Sequence, residues 1–212
     1  SALNFLNKSD ICILTAEDPI ECYLEGIGQV QVKEEIGYTY AAALRNFLLQ
    51  DPEVIMIQEI PDPEVAKIVI QTALEGYLIL SSLKTDDASG SLIELIEMGV
   101  QPSLVGSSVR LILSQRLVKR ICENCKMEYT PSKGQLEEIQ LLNSASISKL
   151  YRGAGCDKCG GTGNRGRLLI YEIMEVSGNI KEAIFRNASR QEIKKIAIEA
   201  GMETLSQNAL KR

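Results

Sequence analysis

Four of the six cysteines stand in two C-x-x-C pairs, Cys122 with Cys125 and Cys156 with Cys159. Two such loops can direct four thiolates at one point and complete the tetrahedral shell of zinc, with Zn–S distances of about 2.3 Å. Because protein sulfur fills all four positions, we expect a structural Zn²⁺ that folds the segment without taking part in catalysis. The alternatives are four free buried thiols or a redox pair.

Histidine is absent from all 212 residues. This excludes a Ser-His-Asp triad, a Cys-His dyad and any imidazole metal ligand. Acid–base chemistry must therefore rest on carboxylates, Lys, Tyr or Cys. The two remaining cysteines, Cys12 and Cys22, are expected to be small buried core residues.

Charge and composition narrow the classes of partner. The net charge is −5 and the pI is near 5.0, which does not favour nucleic acid as a ligand. Apolar runs are far too short to span a bilayer, and the first residues do not resemble a signal peptide. These features predict a cytoplasmic protein that reaches a membrane only through a partner.

Several short apolar runs in the chain have the length and composition of buried strands. Such strands would position any reactive groups. A helical segment at residues 40–49 lies between the first and second of them. Strands alternating with helices at this spacing predict a parallel sheet with helices on its faces, and hence an α/β fold. The predicted buried strands are residues 11–15, 54–57 and 78–82.

Helix starts can be read from capping residues. Asp62-Pro63 places an N-cap residue before Pro at the first helical position, and Thr85-Asp86-Asp87 opens a further helix. We predict another helix over residues 103–119, a strand over 167–176 and a helical tail.

Acidic and polar residues follow the predicted strands. Glu17 and Glu59 come directly after the first two strands, and residues 81–87 are polar after the third. The carboxyl ends of parallel strands carry the ligand site in such sheets, and this set would suit Mg²⁺ and phosphate. The alternative is that the acidic residues only cap the following helices.

Several motifs resemble those of the type II secretion and type IV pilus assembly ATPases. The match runs in register over essentially the whole chain, and its zinc segment resembles the branch that powers secretion or pilus extension. Residues 15–21 resemble the family's acidic Asp box, residues 49–57 the run into its Walker B strand, and residues 81–88 its His box.

The resemblance implies a partial RecA-like P-loop NTPase core at residues 1–120. A four-cysteine zinc-binding subdomain would follow at 121–165, and a final strand with a small C-terminal helical subdomain at 166–212. It also implies a homohexamer beneath inner-membrane secretion or pilus platform proteins, with ATP and Mg²⁺ as ligands.

Site residues follow from the same resemblance. Glu17 would be the general base or water-orienting carboxylate, and Glu59 would act on Mg²⁺ through water. Arg45 could contact phosphate across a subunit boundary. The expected nucleotide-binding residues are Asp18, Glu21, Arg45, Lys84 and Thr85.

The chain departs from the family pattern in ways that bear on activity. No Gly is followed by Lys, so the phosphate-binding loop is expected just upstream of residue 1, and we predict that this chain alone neither binds ATP tightly nor hydrolyses it. Within the motifs, Pro61 replaces an Arg, Lys84 a His, Asp86 an Asn and Leu49 a second Arg.

A phosphate site that lacks these cations would stabilise the charge of the transition state less, so hydrolysis is expected to be slower. One alternative is therefore a degenerate, non-hydrolysing family member with a structural or regulatory role. A zinc-ribbon binding module is a further alternative.

Overall fold

The computed structural model describes residues 2–132, 134 and 150–211, and its chain divides into two compact units. The first comprises residues 1–112 and 175–197, and the second comprises residues 113–174 and 198–212. The domain boundaries expected at residues 120 and 165 stay predictions. None of the described helices is both long and apolar enough to cross a membrane.

A four-stranded parallel sheet forms the centre of the first unit, with strand order β2-β1-β3-β4. Every residue of β1 is buried, as a strand between two others must be. This confirms the predicted α/β class and parallel sheet. The strands are β1 (Ile13–Glu17), β2 (Gly28–Gln31), β3 (Val54–Ile57) and β4 (Leu78–Ser81).

Aspartate side chains cap the starts of two helices in this unit. Asp62 Oδ1 accepts a hydrogen bond from the Val65 backbone N–H at 2.9 Å, and Asp87 Oδ1 accepts one from Gly90 at 2.8 Å. The cap at Asp62 was predicted from the sequence, which also placed the start of the next helix at residues 85–87. The helices are α1 (Ala2–Leu6), α2 (Tyr40–Phe47), α3 (Pro63–Leu74), α4 (Ala88–Glu97), α5 (Pro102–Ser108), α6 (Gly178–Phe185) and α7 (Arg190–Glu199), whose last residues pass into the second unit.

The helix predicted over residues 103–119 is wrong beyond its first turns. Helix α5 ends at Ser108, and Val109 has the extended angles φ −70° and ψ 127°. The Ser107 and Ser108 hydroxyls bond back to carbonyls of the helix, which competes with its continuation. Strand β5 (Leu111–Ile121) follows instead, with partly buried residues alternating with exposed ones in its first half.

Strands form two pairs in the described part of the second unit. Strand β5 pairs with β8 (Asn164–Glu175), which confirms the strand predicted over residues 167–176. Strands β6 (Lys126–Tyr129) and β7 (Leu150–Gly153) form an antiparallel pair.

The last helix, α8 (Leu205–Leu210), is fixed to β8 by buried polar groups. The Glu172 carboxylate is 2% exposed and accepts a hydrogen bond from the Leu205 backbone N–H at 3.0 Å. Asn208 Oδ1 accepts one from the Tyr171 N–H at 3.3 Å. A carboxylate at a helix N-terminus also complements the helix dipole.

Candidate nucleotide and zinc sites

The carboxyl ends of β1, β3 and β4 are joined to one another just beyond the last paired residues. The Gln58 backbone N–H donates to the Ala16 carbonyl at 3.0 Å, and the Ile60 N–H donates to the Ser82 carbonyl at 3.0 Å. The Ser82 hydroxyl donates to the Gln58 carbonyl at 2.6 Å. The residues that follow the three strands are therefore held along one edge of the sheet.

Glu17 is the last residue of β1 and is 7% exposed. Its Oε1 accepts hydrogen bonds from the Thr15 hydroxyl at 2.6 Å and from Gln29 Nε2 at 2.8 Å. Gln29 also contacts the loop after β1, since its amide donates to the Cys22 carbonyl and accepts from the Leu24 N–H. One amide thus orients the carboxylate and the loop that follows it.

Tyr40 lies close to the acidic residues at this edge of the sheet. Its hydroxyl lies 3.4 Å from Gln58 Oε1, which also accepts a hydrogen bond from the Asp18 backbone N–H. Burial, followed by the charge of nearby carboxylates, raises the pKa of Tyr40 to about 12. Those carboxylates are, in order of effect, Glu59, Asp18, Glu17 and Glu34.

Glu59 and Lys84 meet at the same edge. Lys84 Nζ lies 2.7 Å from Glu59 Oε2, with side-chain exposures of 85% and 33%. Lys84 therefore places a positive charge against the predicted Mg²⁺ carboxylate, two residues from the position of Pro61.

Three other predicted nucleotide-binding residues lie in different surroundings. The Arg45 guanidinium pairs with Glu64 at 2.6 Å, and both side chains are exposed. The Thr85 hydroxyl lies 2.8 Å from the Ser91 hydroxyl, so it faces the first turn of α4. Glu21 is exposed on the loop after β1.

The four predicted zinc ligands come together in the second unit. Their sulfur atoms all lie within 4.8 Å of one another. The Sγ–Sγ distances are 3.9 Å for Cys122–Cys156, 3.9 Å for Cys125–Cys159 and 3.8 Å for Cys156–Cys159. A tetrahedron with bonds of about 2.3 Å has edges of about 3.8 Å, whereas a disulfide needs about 2.05 Å. The donor set and its spacing therefore fit zinc.

Backbone and side-chain donors surround the sulfurs. Cys159 Sγ accepts hydrogen bonds from the Cys156 N–H at 3.2 Å and the Gly163 N–H at 3.3 Å. Asn124 Nδ2 donates to Cys156 Sγ at 3.4 Å, and this contact is the main reason why the pKa of Cys156 falls to about 6. Burial raises the pKa of Cys125 to about 12. The Cys156 thiolate is the form that binds metal.

Two glycines, Gly153 and Gly163, allow the segments that carry the cysteines to approach closely. A Cβ atom on Gly153 would lie 1.9 Å from the Gly163 carbonyl oxygen. The Cys122 N–H donates to that same carbonyl at 3.0 Å, so the two chain segments that carry ligands meet there without room for a side chain.

Cys12 and Cys22 are both exposed, so their prediction as buried core residues is wrong. Cys12 precedes the first residue of β1, and its backbone N–H donates to Glu53 Oε2 at 2.6 Å. Cys22 lies on the loop after β1. Neither sulfur belongs to the four-cysteine cluster.

An ion cluster that the sequence did not reveal fixes the start of α4. The Asp87 carboxylate pairs with Lys194 at 2.9 Å and Arg190 at 3.0 Å, and it also accepts from the Ser89 hydroxyl. Burial opposes ionisation of Asp87, but these bonds and the Gly90 N–H hold its pKa well below the ordinary value. The partners are 103 and 107 residues away along the chain.

Comparison with known proteins extends these observations. The model of the family described as type II/IV secretion system protein matches residues 1–212. The type IV pilus assembly ATPase PilB of Thermus thermophilus is 46% identical over 198 residues, covering 92% of this chain and 22% of its own length. Type II secretion system ATPase E of Vibrio cholerae is 42% identical over 197 residues, with coverage of 92% and 39%.

Solved structures show the same fold. The pilus retraction motor PilT with bound ADP has a TM-score of 0.69 at 21% identity, and the Legionella pneumophila ATPase DotB has 0.66 at 16%. Each match covers 99% of this chain and 50% of the other. The chain thus spans half or less of the length of these relatives. Since the family model matches every residue, the chain belongs to the type II/IV secretion system protein family.

Proposed function

We propose that the chain is part of a hexameric motor ATPase that couples ATP hydrolysis to protein secretion or pilus assembly at the bacterial inner membrane. Family membership supports the class of protein. The observation that carries the proposal is the joined edge of the sheet, where Glu17 and Glu59 lie near enough to Tyr40 for both to raise its pKa. Phosphoryl transfer depends on this kind of positioning and on charge neutralisation.

In this proposal each strand end has a separate task. Glu17, fixed through Oε1, orients the attacking water or accepts its proton. Glu59 binds Mg²⁺ through water. Lys84 faces the nucleotide from the segment after β4, and Thr85, whose hydroxyl bonds Ser91, follows it in the same nucleotide-binding segment. Asp18 and Glu21 belong to the loop after β1. Mg²⁺, held by Glu59 through water, would neutralise phosphate charge.

Arg45 acts across a subunit boundary. Its pair with Glu64 is exposed on both sides, so exchange of Glu64 for a phosphate costs little. This role requires a ring, and we propose a homohexamer.

The four cysteines hold a structural Zn²⁺. Their sulfur spacing and the N–H donors around them support this assignment. Zinc would supply folding free energy to its segment and no open coordination position for a substrate.

We place the protein in the cytoplasm, bound to the inner membrane through secretion or pilus platform proteins. Nucleic acid is not a proposed partner, because the net charge is −5 and the pI is about 5.0. Salt-sensitive binding to DNA or RNA would contradict this part of the proposal.

ATP turnover by a polypeptide that joins this chain to its phosphate-binding loop tests the proposal, in the presence of zinc and Mg²⁺. Glu59→Gln should abolish turnover, whereas Glu75→Gln, at the exposed end of α3, should leave it unchanged. Residues 1–212 alone should show no turnover, since they contain no Gly-Lys pair. A folded hexamer with an intact phosphate loop and no turnover would overturn the motor assignment.

One observation favours a second candidate, a non-hydrolysing subunit of structural or regulatory role. Lys84 already neutralises Glu59 at 2.7 Å, and Pro61 supplies no cation of its own. A subunit of this kind would bind ATP and assemble, but turnover would stay at background and Glu59→Gln would change nothing.

A further inference from the structure

A zinc ion with four cysteine thiolates carries a net charge of −2. In the zinc segment this charge would sit among groups that are buried or only partly exposed. Charge in such a position is costly unless opposite charge or hydrogen bonds compensate it. The N–H donors around Cys156 and Cys159 supply part of the compensation, but they carry no net charge.

A cavity of about 540 Å³ lies beside the cluster and shares Cys122 with it. Its wall contains three cations and one carboxylate, a net charge of +2. Arg120 pairs with the carboxylate of Glu123 at 3.1 Å. Lys158 and Arg165 form no ion pair with any carboxylate in the described part of the chain.

The chain brings these cations to the cluster by short connections. Lys158 lies between Cys156 and Cys159, and Arg120 lies two residues before Cys122. Arg165 follows Gly163, whose N–H donates to Cys159 Sγ, by two residues. Each cation therefore lies within two residues of a ligand or of a donor to one along the chain.

We propose that Arg120, Lys158 and Arg165 form a cationic shell whose net charge of +2, after Glu123 is counted, balances the charge of the zinc tetrathiolate. The inference rests on zinc binding by the four cysteines and goes beyond it. It assigns a metal-retaining role to residues that are not ligands. Groups outside the coordination shell commonly change metal affinity by about 10- to 100-fold.

The same balance of charge disfavours binding of a free anion in the cavity. With zinc bound, the net charge of +2 on the cavity wall is matched by the −2 of the zinc tetrathiolate. A free phosphate would then meet little net attraction.

The test is zinc affinity of the 212-residue chain, measured by competition with a chromophoric chelator at about 0.1 M and about 1 M salt. At low salt, Lys158→Met and Arg165→Met should each weaken zinc binding about ten-fold, and Lys158→Glu should weaken it further. Arg165→Lys keeps the charge and should keep the wild-type affinity. At high salt, where the Debye length falls from about 10 Å to about 3 Å, the variants should converge on the wild type.

Arg152→Met is the matched control. Arg152 belongs to the same segment, but its guanidinium lies over the Tyr129 ring and not on the cavity wall. The zinc affinity of the Arg152→Met variant should equal that of the wild type. The shell is overturned if Arg165→Lys is as damaging as Arg165→Met, if the losses persist at high salt, or if Arg152→Met weakens zinc equally. A wild-type chain that binds no zinc would instead remove the zinc assignment itself.

Discussion

Lys84 Nζ lies 2.7 Å from Glu59 Oε2, which joins the segment after β4 to the carboxylate after β3. Pro61, two residues after Glu59, carries no charge. Lys84, which follows the neighbouring strand β4, places a cation next to Glu59 instead. Because Lys84 is 85% exposed, the pair is worth less than about 1 kcal/mol to folding. In the proposed nucleotide site, Lys84 would exchange Glu59 for phosphate and Glu59 would exchange Lys84 for hydrated Mg²⁺, without loss of the fold.

Replacing Lys84 should therefore separate activity from stability. In a polypeptide that includes the phosphate-binding loop, we expect Lys84→Met to lower ATP turnover at least about ten-fold, because a charge near developing negative charge is lost. The free energy of unfolding should change by less than about 1 kcal/mol. Lys84→Arg, which keeps the charge, should retain most of the turnover. Unchanged turnover in Lys84→Met would remove Lys84 from the nucleotide site.

Asp87 should behave in the opposite way, because it is buried and paired twice. Asp87→Asn keeps the helix cap but loses both ion pairs, and we expect it to lower the free energy of unfolding by about 2–3 kcal/mol. Arg190 and Lys194 keep some solvent access, so the loss stays below that of a fully buried pair. Chemical denaturation measures it. Asp62→Asn is the matched control, since Asp62 caps α3 from an exposed position and Asn caps equally well. Equal losses in the two variants would show that only capping matters.

The same carboxylate predicts a pH dependence. The pKa of Asp87 in the folded chain lies well below its ordinary value of about 3.9, so the unfolded chain takes up the proton first as pH falls. The stabilisation is fully present above about pH 5 and is lost as pH drops through and below about 4. The stability difference between the wild type and Asp87→Asn should therefore narrow from pH 7 to pH 3. A difference that stays constant over this range would contradict the ion-pair assignment.

Gly153 tests the close packing of the cysteine loops. A Cβ atom there would lie 1.9 Å from the Gly163 carbonyl oxygen, which accepts the Cys122 N–H, so Gly153→Ala should separate the loops and abolish stoichiometric zinc binding. Gly178→Ala at the start of α6 is the control, because nothing lies within 4 Å of its added Cβ. Metal content after purification distinguishes the two. Full zinc loading of Gly153→Ala would mean that the backbone adjusts freely.

Local sequence signals predicted the elements that depend on neighbouring residues. Asp62 caps an N–H group three residues away, residues 85–87 were expected to open α4, and each C-x-x-C pair is a loop of four residues. The family resemblance, now confirmed by the family model, also rested on contiguous motifs.

Contacts between residues far apart along the chain could not be predicted from local sequence signals. Gln58 meets the Asp18 N–H from 40 residues away, and Asp87 meets Lys194 from 107 residues away. Strand β5 was predicted as a helix because its partner, β8, begins more than forty residues later, and apolar spacing alone did not decide between the two periods. The prediction that Cys12 is buried was wrong for a related reason. Strand β1 begins at Ile13, so Cys12 lies just outside the buried strand.

Cys156 provides the most direct test of the zinc site. We expect one Zn²⁺ per wild-type chain by elemental analysis and almost none in Cys156→Ser, because loss of one thiolate opens the four-sulfur shell. Since metal binding contributes folding free energy, hydrogen exchange should rise in β6, β7 and the cysteine loops of this variant, while β1 and β3 keep their protection. Cys12→Ser and Cys22→Ser remove exposed thiols outside the cluster and should retain zinc and the wild-type exchange pattern. Zinc retained by Cys156→Ser, or lost from Cys12→Ser, would place the metal elsewhere.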